Sequence, residues 1–163
     1  MRKLLLITAS AFCLLLVACG GEEKTGVSYS GYNDTDKNIV SIIVNGEGGV
    51  LHATAHGGGA QTCCVLLPNK WRPGLKASIK WQEGGRFQFD ENGNQVYVNG
   101  VPVVIEGPWK ERTVDLPEYK EIGMFFIHFF PDDEIKVVVS RVYRGHPDYP
   151  ILRSTNSRQL ETP

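Results

Sequence analysis

Arg72-Pro73-Gly74-Leu75-Lys76-Ala77-Ser78-Ile79-Lys80-Trp81-Gln82 is the stretch that decides the fold class. From Leu75 onward apolar and polar residues alternate with a period of two, which lays one side on a core and the other in water, as in a half-buried strand. Arg72-Pro73-Gly74-Leu75 fits a type II turn, because proline presets the first central dihedral and glycine accepts the positive one that follows. Outward from there, Asn38 to Val44, Thr62 to Leu67 and Arg112 to Leu116 read as further strands. Phe87-Gln88-Phe89 and Val96-Tyr97-Val98 flank Asn92-Gly93, a strong hairpin signal that sets Phe89 opposite Val96 and Phe87 opposite Val98. Asn99-Gly100 turns the chain again into Val101 to Ile105, where Pro102 argues for an edge strand, and so predicts a three-strand meander. Met124 to Phe130 and Ile135 to Tyr143 are β-prone runs joined by Pro131-Asp132-Asp133-Glu134, and their continuous apolarity predicts central strands.

The chain has 163 residues, 42% hydrophobic and 21% charged, with a formal charge of -1, which suits one globular domain. That balance excludes a disordered chain and supplies no basic excess to attract nucleic acid. No sustained helical period appears, and no repeat of roughly 20 to 50 residues. Eighteen glycines and nine prolines punctuating short strands predict an all-β fold, an antiparallel β-sandwich over residues 27–150, with an open β-barrel as the alternative. The polar segment 151–163 reads as a C-terminal tail.

The first 18 residues read differently. Arg2 and Lys3 precede the apolar run Leu4 to Val17, which ends at Ala18-Cys19, the pattern of a cleaved signal peptide. The run is shorter than the roughly 20 residues that span a bilayer. Leu16-Val17-Ala18-Cys19 resembles a bacterial lipobox, which implies that Cys19 becomes the lipidated N-terminus, held in the membrane by several acyl chains. Residues 19–26, polar and glycine-rich, read as a flexible tether. Loss of Arg2 and Lys3 leaves 15 basic against 18 acidic residues, a mature charge of -3. Without Asp after Cys19, the sorting rule of enteric bacteria implies the inner leaflet of the outer membrane, facing the periplasm.

Candidate chemistry is sparse. Cys63-Cys64 reads as a redox or metal site, as two small apolar residues in opposite packing layers, or as a vicinal disulfide with a structural role. His52 and His56 could join these thiols, but the surrounding glycines place the histidines in a loop, so no metal or other cofactor is expected. His128 reads as a hydrogen-bonded wall residue of an apolar strand, and Asp132-Asp133 as a solvated turn. Asn33-Asp34-Thr35 matches a glycosylation sequon that has no use in a bacterium. No catalytic constellation is legible, and the expectation is a protein that is not an enzyme. Trp71 and Arg72 are residue types favoured at binding hot spots and stand in a proline-held loop, where they either meet a partner or cap the core.

Several stretches together resemble a family of small bacterial lipoproteins, domain of unknown function 3304: Tyr32-Asn33 with Thr35-Asp36-Lys37, Gly58-Gly59 before Cys63-Cys64-Val65, Lys70-Trp71-Arg72-Pro73-Gly74-Leu75, Val137-Val138-Val139-Ser140, and His146-Pro147-Asp148-Tyr149-Pro150. The resemblance implies an immunity lipoprotein that binds a type VI secretion phospholipase effector, with the membrane as its other partner through the lipid. Two alternatives stand beside it: a structural or assembly lipoprotein of the envelope, and a metal or redox protein built on His52, His56, Cys63 and Cys64.

Overall fold

The computed structural model describes residues 21–150. The expected signal peptide 1–18, the lipidation site Cys19 and the tail 151–163 lie outside the described residues. The larger strands are β1 (Lys24–Asn33), β2 (Ile39–Val44), β3 (Glu47–Ala53), β4 (Gly57–Pro68), β5 (Lys76–Glu83), β10 (Trp109–Asp115), β11 (Met124–Phe129) and β12 (Ile135–Ser140). Four short ones come between: β6 (Arg86–Phe87), β7 (Tyr97–Val98), β8 (Val101–Pro102) and β9 (Val104–Ile105).

Two four-stranded sheets, ordered β12-β11-β1-β4 and β10-β5-β2-β3, make a β-sandwich, with no closed barrel among the described residues. One pairing departs from the antiparallel expectation: β1 runs parallel to β11, with Tyr29 beside Phe125 and Asn33 beside Phe129. Val27, Tyr29, Ile42, Val65, Ile79, Trp81, Phe125 and Ile127 meet between the sheets, all buried. The alternation along β5 holds, with Ala77, Ile79 and Trp81 inward and Lys76 and Lys80 outward.

β11 is apolar on both sides because both sides are covered. Phe125, Ile127 and Phe129 face the other sheet, while Phe126 packs with Val138 and Tyr149 beneath the segment that follows β12. β12 corrects the expectation of a central strand, since it is the edge of its sheet, and its outer apolar residue Val138 is buried by that same following segment.

Three further corrections follow from backbone pairing. The strand begins inside the expected tether 19–26: Lys24, Thr25 and Gly26 pair with Pro68, Leu67 and Leu66, a ladder that needs no apolar side chain. His52 lies in β3 rather than in a loop, because Asn45 and Gly46, both with positive φ, make a tight turn from β2 into that strand. The sequon residue Asn33 is buried and structural. Its amide donates to the carbonyls of Lys37 and Ala53, and its Oδ1 accepts from the backbone and hydroxyl of Thr35, so it shapes the β1–β2 connection.

His128 is a wall residue, as expected. Its Nε2 shares a 2.7 Å hydrogen bond with the Tyr149 hydroxyl. Burial, aided by the Arg144 cation and partly opposed by Asp34, pushes its pKa down to about 4. The unfolded chain takes up this proton near pH 6.5 and the folded chain only near 4, so stability is full above 6.5 and falls as pH drops toward 4. For this one group the loss amounts to about 3 kcal/mol. Thermal melts of the protein and of His128→Gln at pH 7 and pH 4.5 check this: the variant loses less stability between the two than the parent, and equal losses would refute it.

Candidate functional site

Between β5 and β10 the chain leaves the sandwich and returns, and the residues it carries outward are apolar. Phe89 and Tyr97 are 57% exposed, Val98 58% and Val101 65%. These residue types favour strands, and among the described residues the strands here have no second layer to lie on.

The predicted meander is replaced by a three-armed plate. Gln88 donates its N–H to the Val103 carbonyl, Val103 to Val96, and Val96 back to Gln88, each at 2.9 Å, closing a ring of three backbone hydrogen bonds. Three short ladders radiate from it: β6 with β9 toward the sandwich, β7 with β8 around Asn99-Gly100, and a bridge from Phe89 to Gln95. The expected pairs Phe89–Val96 and Phe87–Val98 give way to Phe89–Gln95 and Phe87–Val104. Asp90 sets this register. Its carboxylate accepts from the backbone of Asn92 and Asn94 and from the Asn94 side chain, making the loop longer than the two-residue turn read from Asn92-Gly93. The same hydrogen bonds, that of the Asn94 backbone foremost, hold the Asp90 carboxyl below its ordinary pKa.

Directly paired residues share a side of a ladder, and so do residues two apart. One face of the plate therefore carries Phe87, Phe89, Tyr97 and Val104, and the other Val96, Val98, Val101, Val103 and Ile105. Both faces present exposed apolar side chains, with Gln95 among them on the first face and Arg86 and Gln88 on the second.

The root of the plate is pinned. Glu83 donates its backbone N–H to Pro108 and Gly84 to Asn38, and a Cβ on Gly107 would strike the Glu83 carbonyl, so only glycine lets the two strands meet there. Beside the root is a cleft of about 320 Å³ floored by Ile39, Trp81 and Phe129. Across it Lys110 reaches Glu83 at 2.7 Å and Asp133 at 2.6 Å, and Lys37 reaches the second Glu83 oxygen at 3.0 Å. Burial would raise the Glu83 carboxyl, but the hydrogen bonds from Lys110 and Lys37 outweigh it and hold the group below its usual range. The hydrogen bonds that Lys110 donates to Asp133 and Glu83 raise its own pKa. The network ties the plate's root to the β11–β12 turn, where Asp132 and Asp133 both take left-handed φ. Asp133 is thus an ion-pair partner, which its reading as a solvated turn residue missed.

The residues singled out in the sequence lie elsewhere. Trp71 is half-buried against the core and donates its indole N–H to the Leu116 carbonyl at 3.0 Å, while exposed Arg72 pairs with Glu22 at 2.9 Å. Cys63 and Cys64 are joined in a vicinal disulfide. It occupies a bulge of β4, where the three steps from Val65 to Thr62 match the two from Val27 to Tyr29 on β1. His52 is exposed on β3, and His56 Nε2 meets Asp36 at 2.7 Å. Among the described residues no three His, Cys, Asp or Glu side chains gather as a metal site.

A family profile described as "Protein of unknown function (DUF3304)" matches residues 32–137. The chain belongs to that family. The DUF3304 match takes in Cys63-Cys64, the Trp71–Arg72 loop, the whole plate and the Lys37–Glu83–Lys110–Asp133 network, and it ends before His146-Pro147-Asp148-Tyr149-Pro150. No curated protein and no solved structure matches the chain.

Lys110→Met leaves Glu83, whose side chain is only 13% exposed, with Lys37 alone, and frees Asp133. The expected cost is about 1 to 2 kcal/mol, a partly screened loss. Amide exchange at Gly84 and Gln88 should rise with it. An unchanged melting temperature together with unchanged exchange at the root would contradict the pinning role.

Proposed function

We propose that this protein is a lipid-anchored binding protein of the bacterial envelope that faces the periplasm and neutralises a type VI secretion phospholipase effector by covering it, without catalysis of its own. The observation that carries the reading is the plate: a cluster of exposed aromatic and β-branched side chains held rigidly away from the core. Contiguous apolar surface of this kind marks an interaction site, and aromatic residues dominate such interfaces. A pre-organised β element loses little conformational entropy on docking.

The lipobox-like segment before Cys19 supports the same reading, since an inhibitor tethered at the surface its target attacks is concentrated where it is needed. The loop of Trp71 and Arg72, read as a partner contact or a core cap, seats Trp71 against the core at the Leu116 carbonyl and leaves Arg72 exposed beside Glu22.

The test is a titration. The chain lacking residues 1–19 is added to the product of the neighbouring gene while release of fatty acid from phospholipid is followed. Activity should fall in proportion to added protein and vanish near one equivalent. Full activity at a severalfold excess would remove the immunity reading and favour an assembly role in the envelope.

A further inference from the structure

The plate sits at a defined pole of the sandwich. β5 starts at Lys76, beside the end where Leu116 receives the Trp71 indole and Glu22 receives Arg72, and finishes at Glu83, the root of the plate. The eight residues of β5 separate those ends by about 23 Å. β1 runs the same way, from Lys24 to Asn33, with Lys37 of the following loop beside Glu83. Glu22 and Lys24, the described residues nearest the expected anchor at Cys19, therefore lie at the pole opposite the plate, which favours a cover for these side chains other than the anchoring bilayer.

The plate also differs from an ordinary docking patch in exposing apolar side chains on both of its faces. A flat partner would dry one and leave the other wet. A cleft covers both. Asp90 and Glu91 lie together on the arm that leads away from the root, and Asp90 is held ionised by its backbone hydrogen bonds, so the leading tip is anionic while the faces behind it are apolar.

We propose, resting on the immunity reading, that the plate enters the substrate groove of the phospholipase as an imitation of its lipid. An enzyme that cuts phospholipids needs an apolar channel for acyl chains and cationic groups for the phosphodiester. Phe89 and Tyr97 on one face and Val98 and Val101 on the other fill the channel, and the carboxylates of Asp90 and Glu91 meet the cations. The pinned root, with Lys110 bridging Glu83 and Asp133, holds the plate in its entering orientation.

The experiment uses the chain from residue 20 onward and the product of the neighbouring gene, assayed on a soluble short-chain phosphatidylcholine. Inhibition should be competitive, raising apparent KM and leaving kcat unchanged. Phe89→Ser and Val101→Ser, on opposite faces and both solvent-exposed, should each weaken inhibition about tenfold or more while melting at the parent temperature. Glu91→Lys should weaken it severalfold, with a shallower salt dependence. Inhibition by the parent that is non-competitive, or that survives either face variant, overturns the groove proposal and leaves the immunity reading standing. No inhibition by the parent overturns both. Binding of the parent to phosphatidylcholine vesicles, lost in Phe89→Ser, would make lipid the occupant and overturn the proposal as well.

Discussion

Everything in this molecule depends on the drying of one interface, that between the inner faces of the two sheets. Tyr29 stands at its centre, fully buried, with its hydroxyl donating to the Ile42 carbonyl of the facing sheet at 3.2 Å. Burial raises the phenol's pKa, so the ring carries no charge into the core and its one polar atom is satisfied across the gap. Around it Val65, Ile79, Phe125 and Ile127 exclude water completely. Full burial of each such side chain contributes about 1.5 to 3 kcal/mol, which makes this interface the main source of stability and the rigid base from which the plate projects.

Against that base the plate is the exception. Most apolar strand residues of the sandwich find a second layer, the other sheet for β5 and both the other sheet and the segment after β12 for β11, with Val40, Leu66 and Trp109 as isolated exposed exceptions. In the plate the same residue types form strands and then stop, joined only by backbone hydrogen bonds and held at the root by glycine contacts and the Lys110 ion pairs. The sandwich supplies the stability and the plate supplies the surface.

The strands were legible in the sequence because their signal is local. The alternation from Leu75 to Gln82 marks β5, the Asn99-Gly100 turn lies where its dihedrals require, and the run around Phe125 is buried as its apolarity demands. The plate's topology was not legible. Asn92-Gly93 indicated a two-residue turn, and only the Asp90 carboxylate, competing for Asn92 and Asn94, moves the register by one and lets the root strand pair with the third arm. The Lys37–Glu83–Lys110–Asp133 network joins residues far apart in sequence that become neighbours when the β11–β12 turn meets the end of β5. No spacing rule reaches that far. Cys63-Cys64 was visible as an oddity, and the bulge shows how the ladder accommodates it.

The parallel pairing of β1 with β11 carries a different consequence. The first strand of the domain finds its partner Phe125 only after most of the chain has been made, so half of one sheet is assembled from opposite ends of the polypeptide. Closing so long a loop is entropically costly and slow. Until then β1 can pair with β4 alone, and its other edge stays open to any strand that passes. A chain cut short before Met124 would therefore keep a sticky, unfinished sheet, and the last quarter of the sequence acts as the lock on the first strand as well as a layer of the core.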